Sequence, residues 1–254
     1  MTSKNIIPGA EPFFYKRGKV GCLLCHGYTG TPDEVHNIGK YLAEKGITTI
    51  APLLPGHGTT VKDLIGKTTD DWYNEYCYAF NWLKEYCDEF FVLGHSLGGA
   101  LTIRFAIENH VNGIITLATP TKLQFIQGTM LAIAAPIFKN VVYKKNKNEK
   151  QDQIKYSILC YDGYPIGPAN TLRKLLKNNK SKLASINDPI LILQGSLDDK
   201  WLRKSAKIIY DRVSSEDKEL VFLEKSSHSL THESEMEKIN ELIYEFIRKR
   251  SILK

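Results

Sequence analysis

Residues 94–99 read Gly94-His95-Ser96-Leu97-Gly98-Gly99, a G-x-S-x-G pattern whose serine could attack a carbonyl carbon. A serine hydroxyl is a weak nucleophile. The chemistry also needs a base to take its proton and an acid to orient that base. Two other stretches supply candidates. Gln194-Gly195-Ser196-Leu197-Asp198-Asp199 carries two carboxylates, either of which could orient the base, and Ser226-Ser227-His228-Ser229 carries an imidazole. Taken singly, His228 reads as an exposed loop histidine, and Asp198 and Asp199 as caps of the next helix. Three suitable residues behind three apolar strands, in the order serine, acid, histidine, are a far rarer accident. His232, four residues beyond His228, ranks second as the base. His26, His57 and His95 lie near strand ends, but none follows the acid. His36 and His110 fall on or beside helices.

The elements that must position these groups are legible around them. Phe90–Leu93 is an apolar run too short for a helix, and the residues after Ser96 are apolar at helical spacing, so Ser96 sits on a strand-to-helix turn. Gly94 and Gly98 remove side chains that would collide in so tight a bend. The helix that follows points backbone N–H groups at developing negative charge. An oxyanion site needs two such donors. Leu97, next after the serine, gives one. Tyr28, in the loop His26-Gly27-Tyr28-Thr29-Gly30, is placed for the other, with its ring walling the pocket.

Further strands are expected at Pro12–Tyr15, Val20–Cys25, Ile47–Leu54, Asn112–Thr119, Pro189–Leu193 and Glu219–Leu223. Helices are expected between them. One starts with Thr31 as N-cap, Pro32 at the first helical position and Glu34 closing a capping box, with Val35, Ile38 and Leu42 inward and Gly46 at its end. Asp70–Cys87, about Leu202–Val213 and Thr231–Arg250 follow. Strands alternating with helices imply a parallel sheet with right-handed crossovers. The alternation lapses over 120–186, a lysine- and asparagine-rich stretch of helical tendency with a turn at Asp162-Gly163-Tyr164-Pro165. It reads as an insertion over one end of the sheet, dividing a core of 1–119 and 187–254.

Composition narrows the function classes. The chain has 254 residues, 43% hydrophobic and 24% charged, which suits one α/β domain with an insertion. The net charge is +6, yet residues 120–185 hold 12 Lys/Arg against 3 Asp/Glu, leaving the rest net acidic. Arg173 is the lone arginine of that segment. Phosphate and base recognition favours arginine, so the segment reads as a solvated lysine face and no nucleic-acid partner is expected. The five cysteines are odd in number, and Met1–Gly9 has no apolar core of signal-peptide length. Reduced thiols in a cytoplasm are the expectation. Cys22-x-x-Cys25 lies in a strand, where positions three apart face opposite ways, and no second Cys/His cluster completes a metal site. No run reaches the ~20 apolar residues that a membrane span needs.

With these motifs assembled, the chain resembles the α/β-hydrolases, and within them the bacterial carboxylesterase and monoacylglycerol lipase group. The resemblance rests on residues 26–30, on Leu54-Pro55-Gly56-His57-Gly58, on residues 94–99, on Gly195-x-x-Asp198 and on Ser227-His228. It implies an α/β-hydrolase fold, a mostly parallel central sheet with helices on both faces and a small helical cap inserted after the strand near 112–119. It implies the triad Ser96, Asp198 and His228, preferring Asp198 over Asp199, with the amides of Tyr28 and Leu97 as oxyanion donors. Two positions depart from the group. Gln194 stands where histidine is frequent, and Trp201 soon after the acid.

The expected activity is a serine carboxylesterase that hydrolyses short- to medium-chain esters through an acyl-enzyme on Ser96, with no metal or organic cofactor. Tyr28, Phe125, Ile126, Met130, Tyr161, Tyr164 and Ile166 are the expected substrate-binding residues, with Leu131 and Ile133 adding to the apolar character of the cap. The partner is a small-molecule ester; contact with a membrane is permitted but not required. A monoacylglycerol lipase or lysophospholipase is the alternative within enzymes. A non-catalytic hydrolase-fold binding protein is the alternative of another class.

Overall fold

Val20–Cys25 (β2) is buried at every residue, as a strand covered on both faces must be. Its side chains alternate between two apolar cores. Leu23 and Cys25 join one, Cys22 and Leu24 the other. The cysteine pair is thus split across the sheet, and all five cysteines are free. The computed structural model describes residues 6–124, 137–145 and 147–253.

Around β2 the sheet is built from Phe13–Tyr15 (β1), Thr48–Ala51 (β3), Glu89–His95 (β4), Gly113–Leu117 (β5), Ile190–Gly195 (β8) and Lys218–Leu223 (β9), in the spatial order β1-β3-β2-β4-β5-β8-β9. All neighbours are parallel except β1, which runs antiparallel along the edge of β3. The chain steps outward from β2 to β3, then returns to place β4 on the other side of β2. That reversal opens a crevice at the carboxyl ends of β2 and β4, the place where open α/β sheets bind ligands.

Helices cover both faces. Asp33–Glu44 (α1) and Met236–Arg248 (α8) bury Val35, Ile38, Leu42, Ile239, Ile243 and Phe246 on one face. Thr69–Leu83 (α3), Leu97–Glu108 (α4) and Lys200–Arg212 (α7) cover the other with Trp72, Tyr76, Leu101, Phe105, Ala206 and Ile209. A short helix, Val61–Leu64 (α2), precedes α3. The α3 N-terminus carries a complete capping box between Thr68 and Asp71. Cys87 lies past the end of α3 rather than in it, though still buried. The last helix begins later than periodicity suggests, because Leu230–His232 forms a separate 3-10 turn.

The capping box expected at α1 does not form. The residue at the N-cap is Pro32, no side chain caps the helix, and the Thr31 hydroxyl is buried without a partner. Glu34 turns away from its own helix end toward the sheet, where stronger donors await it.

The segment between β5 and β8 holds a hairpin of Val142–Lys144 (β6) and Gly163–Pro165 (β7), then Lys147–Lys155 (α5) between those strands and Ile166–Lys182 (α6) after them. The turn expected at 162–165 is therefore strand β7. Gly163 allows the close approach, since a Cβ there would lie 2.8 Å from the Tyr143 carbonyl oxygen. Helix α6 buries Leu172, Leu175 and Leu176 in the same core as α3 and α4. No helix among the described residues is long and apolar enough to cross a membrane.

Candidate active site

Strand β4 ends at His95 and α4 begins at Leu97, so a single residue turns the chain. That residue, Ser96, has φ 52° and ψ −109°, a left-handed backbone that costs a non-glycine residue about 1–3 kcal/mol. The bend is possible because its neighbours lack side chains. A Cβ on Gly94 would lie 2.2 Å from the Gly98 carbonyl, and one on Gly98 would lie 2.1 Å from the Cys25 carbonyl oxygen. The Ser96 amide donates to the Leu117 carbonyl at 2.9 Å, tying the turn to β5. Thr29, in the loop after β2, and Ala118, just past β5, also have positive φ, so backbone strain gathers at this rim.

The rim brings three predicted side chains into one line. Ser96 Oγ lies 3.1 Å from His228 Nε2, and His228 Nδ1 lies 3.0 Å from Asp198 Oδ2. Asp198 is buried, whereas His228 is half-exposed. Burial alone would raise the Asp198 carboxyl. The His228 charge and hydrogen bond, with donors from Gln194 and the Asp199 amide, hold it below the ordinary carboxylate range. Burial likewise depresses His228, but the charge and hydrogen bond of Asp198 outweigh it and raise the imidazole above its ordinary value. With Asp198 ionised, Nδ1 donates to it and Nε2 is left to accept the serine proton.

The alternatives fall elsewhere. Asp199 stands at the N-cap of α7, and its carboxylate accepts from the Trp201 indole at 3.1 Å. His232 faces Asp33 at 3.5 Å, on the α1 side. His26 accepts from the Leu54 amide at 3.1 Å, joining the loops after β2 and β3.

The acid and histidine loops are stitched together by backbone. Ser196 donates to Leu223 at 2.8 Å and Leu197 to Ser226 at 3.0 Å. Glu233 accepts from the Ser227 amide and hydroxyl. Gln194, the departure from the related group, has a task here. Its amide donates to Asp198 Oδ2 at 2.8 Å, so it buttresses the acid that its own strand carries. Sequence reading missed this role, although a polar residue four before the acid on a buried strand is a signal for it.

Leu97 and Tyr28 flank Ser96 from the start of α4 and the loop after β2. Among the described residues neither amide donates to another group of the chain. The Tyr28 ring packs against Trp72 at 5.6 Å and Tyr164 at 5.9 Å, and its hydroxyl donates to the Pro165 carbonyl at 2.8 Å. Tyr161 is buried. Its hydroxyl donates to the Gly56 carbonyl at 2.8 Å and accepts from the Thr59 amide at 2.9 Å, so it ties the stretch just before β7 to the 55–59 loop. Ile166 is half-buried at the start of α6. Phe125, Ile126 and Met130, together with Leu131 and Ile133, lie outside the described residues. Among the described residues no group of three or more His, Cys, Asp or Glu is arranged to hold a metal ion.

Comparison with known proteins agrees with this architecture. Residues 17–235 match the family described as serine aminopeptidase, S33. The chain is 32% identical over 249 residues to a thermostable monoacylglycerol lipase of Bacillus sp. strain H-257, covering 97% of each. It is 28% identical over 240 residues to a carboxylesterase of Bacillus subtilis strain 168, covering 94% of this chain and 96% of the relative. A solved structure from work on two metagenome-derived lipolytic enzymes superposes with a TM-score of 0.88 at 28% identity, over 96% of this chain and all of the other. Since the family match spans most of the chain and the sheet carries the Gly94–Gly98 turn at the expected strand end, this protein belongs to the serine aminopeptidase S33 family of α/β-hydrolases and is an ester hydrolase.

Proposed function

We propose that the protein is a serine carboxylesterase with Ser96 as nucleophile, His228 as general base and acid, and Asp198 as the group that orients the imidazole. The observation that carries this reading is the hydrogen-bonded line from Ser96 through His228 to Asp198 at the carboxyl ends of three strands. Ser96 Oγ attacks the ester carbonyl while His228 Nε2 takes its proton. The same nitrogen then protonates the leaving alcohol, and water releases the acid by the reverse route. The amides of Tyr28 and Leu97 receive the oxyanion, helped by the N-terminus of α4. Residues 120–186 act as a cap over the acyl group, with Tyr28 and Tyr164 on its inner side. Five unpaired cysteines fit a reducing, cytoplasmic setting.

Aryl esters of short and medium acids should be cleaved by the wild type, with a rate profile that peaks within that range. Ser96→Ala should lose about 10⁶-fold in kcat and all labelling by a fluorophosphonate. Equal turnover by both would end the reading, and a wild type that binds esters without labelling would mark a non-catalytic binder. A second reading, a monoacylglycerol lipase or lysophospholipase, draws on the 32% relative and on the outer face of the cap. There Ile137, Phe138, Val141 and Tyr143 are exposed beside lysines. A steep loss of activity on lipid esters at high salt would favour it, because surface charge attraction is screened by salt.

A further inference from the structure

Glu34 is a carboxylate in an unexpected place. It belongs to α1 yet is buried against the loop after β2. Gly30 makes room for it, since a Cβ there would sit 1.9 Å from Glu34 Oε1. One oxygen, Oε2, accepts the Gly27 amide at 2.7 Å and faces His95 Nδ1 at 2.9 Å. His95 is itself buried, and its other nitrogen, Nε2, lies 2.9 Å from the backbone carbonyl oxygen of His228. A carbonyl oxygen can only accept, so Nε2 carries a hydrogen. Burial would raise the Glu34 carboxyl, but the hydrogen bond and charge of His95, the charge of His26 and the Gly27 amide pull it to about 2. The two ring nitrogens of His95 thus span the Glu34 carboxylate and the His228 carbonyl.

We propose that Glu34 and His95 form a positioning pair that holds the His228 loop and the oxyanion loop in register, Glu34 through the Gly27 amide and His95 through the His228 carbonyl. The inference rests on the esterase reading above. Neither side chain reaches the serine hydroxyl; each acts through backbone that carries a reacting group. One carboxylate oxygen links the turn that presents the Tyr28 amide to the turn that presents the imidazole. A buried carboxylate–imidazole contact is poor evidence for stability alone, because apolar residues of similar volume commonly serve as well. Its placement between two loops of the site is what gives it a function.

The test measures kcat and KM on an aryl butyrate, with active sites counted by fluorophosphonate titration so that misfolded protein does not enter. His95→Leu should lower kcat per titrated site about 10²-fold, the cost of a small misplacement of a reacting group, with KM within about twofold of the wild type. Glu34→Gln should lower kcat about 10-fold, and the double variant no further than His95→Leu, since both act through one chain of bonds. His95→Gln, whose amide can still donate to the His228 carbonyl, should recover most of the loss. A His95→Leu enzyme with wild-type kcat per site, or equal losses in His95→Leu and His95→Gln, would overturn the proposal. Should His95→Leu not fold, an unchanged per-site kcat in Glu34→Gln overturns it. A wild type that neither labels nor turns over ester would instead defeat the esterase reading, and the pair with it.

Discussion

The rim of the sheet and the segment between β5 and β8 are held by different means. At the rim, backbone packs on backbone. Gly94, Gly98 and Gly195 each stand where a Cβ would come within about 2.3 Å of a neighbouring carbonyl, and Ser96 is held in a strained turn by the strands beside it. The inserted segment packs α6 into the core, but ahead of α6 its contacts are one backbone bond, from the Tyr161 amide to the Thr29 carbonyl at 3.0 Å, and side-chain tips. Tyr161 reaches the 55–59 loop through its hydroxyl, and Tyr28 reaches β7 through its own. The segment leaves Ile137 75% and Ile154 80% exposed, whereas β2, β3, β5 and β8 are buried at every residue. Groups that must meet within hydrogen-bonding distance are thus carried by the part that cannot shift without breaking the core. The hairpin part of the segment, proposed to meet the acyl chain, adds hydroxyl bonds that can be exchanged one at a time.

The largest expected effect lies at the rim. Asp198→Asn should lower kcat about 10⁴-fold, because the amide favours the wrong imidazole tautomer. The pH profile of kcat/KM gives a second readout. As the proposed base His228 must be neutral, and Asp198 raises its pKa, so the acid limb of the wild type should fall above the ordinary histidine value of about 6.5. In Asp198→Asn the limb should move to lower pH. An unmoved limb would mean that the acid does not set the state of the base.

Gly98→Ala is the next in size. The added methyl would meet the Cys25 carbonyl and push α4 from β2, separating the amides of Leu97 and Tyr28. A kcat loss of about 10²-fold is expected, with a stability loss of about 1–3 kcal/mol from overpacking. Thermal unfolding and titrated kcat would separate the two. Tyr161→Phe should be the mildest. It removes the hydroxyl's hydrogen bonds to Gly56 and Thr59 and should cost about 1–2 kcal/mol, read as a lower unfolding midpoint, with kcat on short esters within about twofold. If Tyr161→Phe damaged turnover as much as Gly98→Ala, the contrast between the regions would not hold.

Much of the site was legible because its residue types have narrow uses. Ser96 between two glycines, behind an apolar run and before a helical one, has few readings. Asp198, Asp199 and His228 follow apolar runs that could be read as strands. Glu34 misled for a reason worth stating. Its spacing from Thr31 fits a capping box, but a local cap competes with any distant donor that folding brings closer, and here Gly27 and His95 win. At Thr68 and Asp71, where the carboxylate is exposed, the same kind of spacing does form the box. The β6–β7 hairpin escaped notice because two three-residue strands carry no periodicity to detect.

By itself the sequence determined the alternating elements, the strand-to-helix turn at Ser96 and the order of the candidate groups, since these follow from local spacing and steric limits. Only the tertiary structure decided which aspartate faces the imidazole, what Gln194 supports and where the Glu34 carboxylate is spent. Each of those depends on two segments far apart in the chain meeting within about 3 Å, and no local pattern encodes such a meeting.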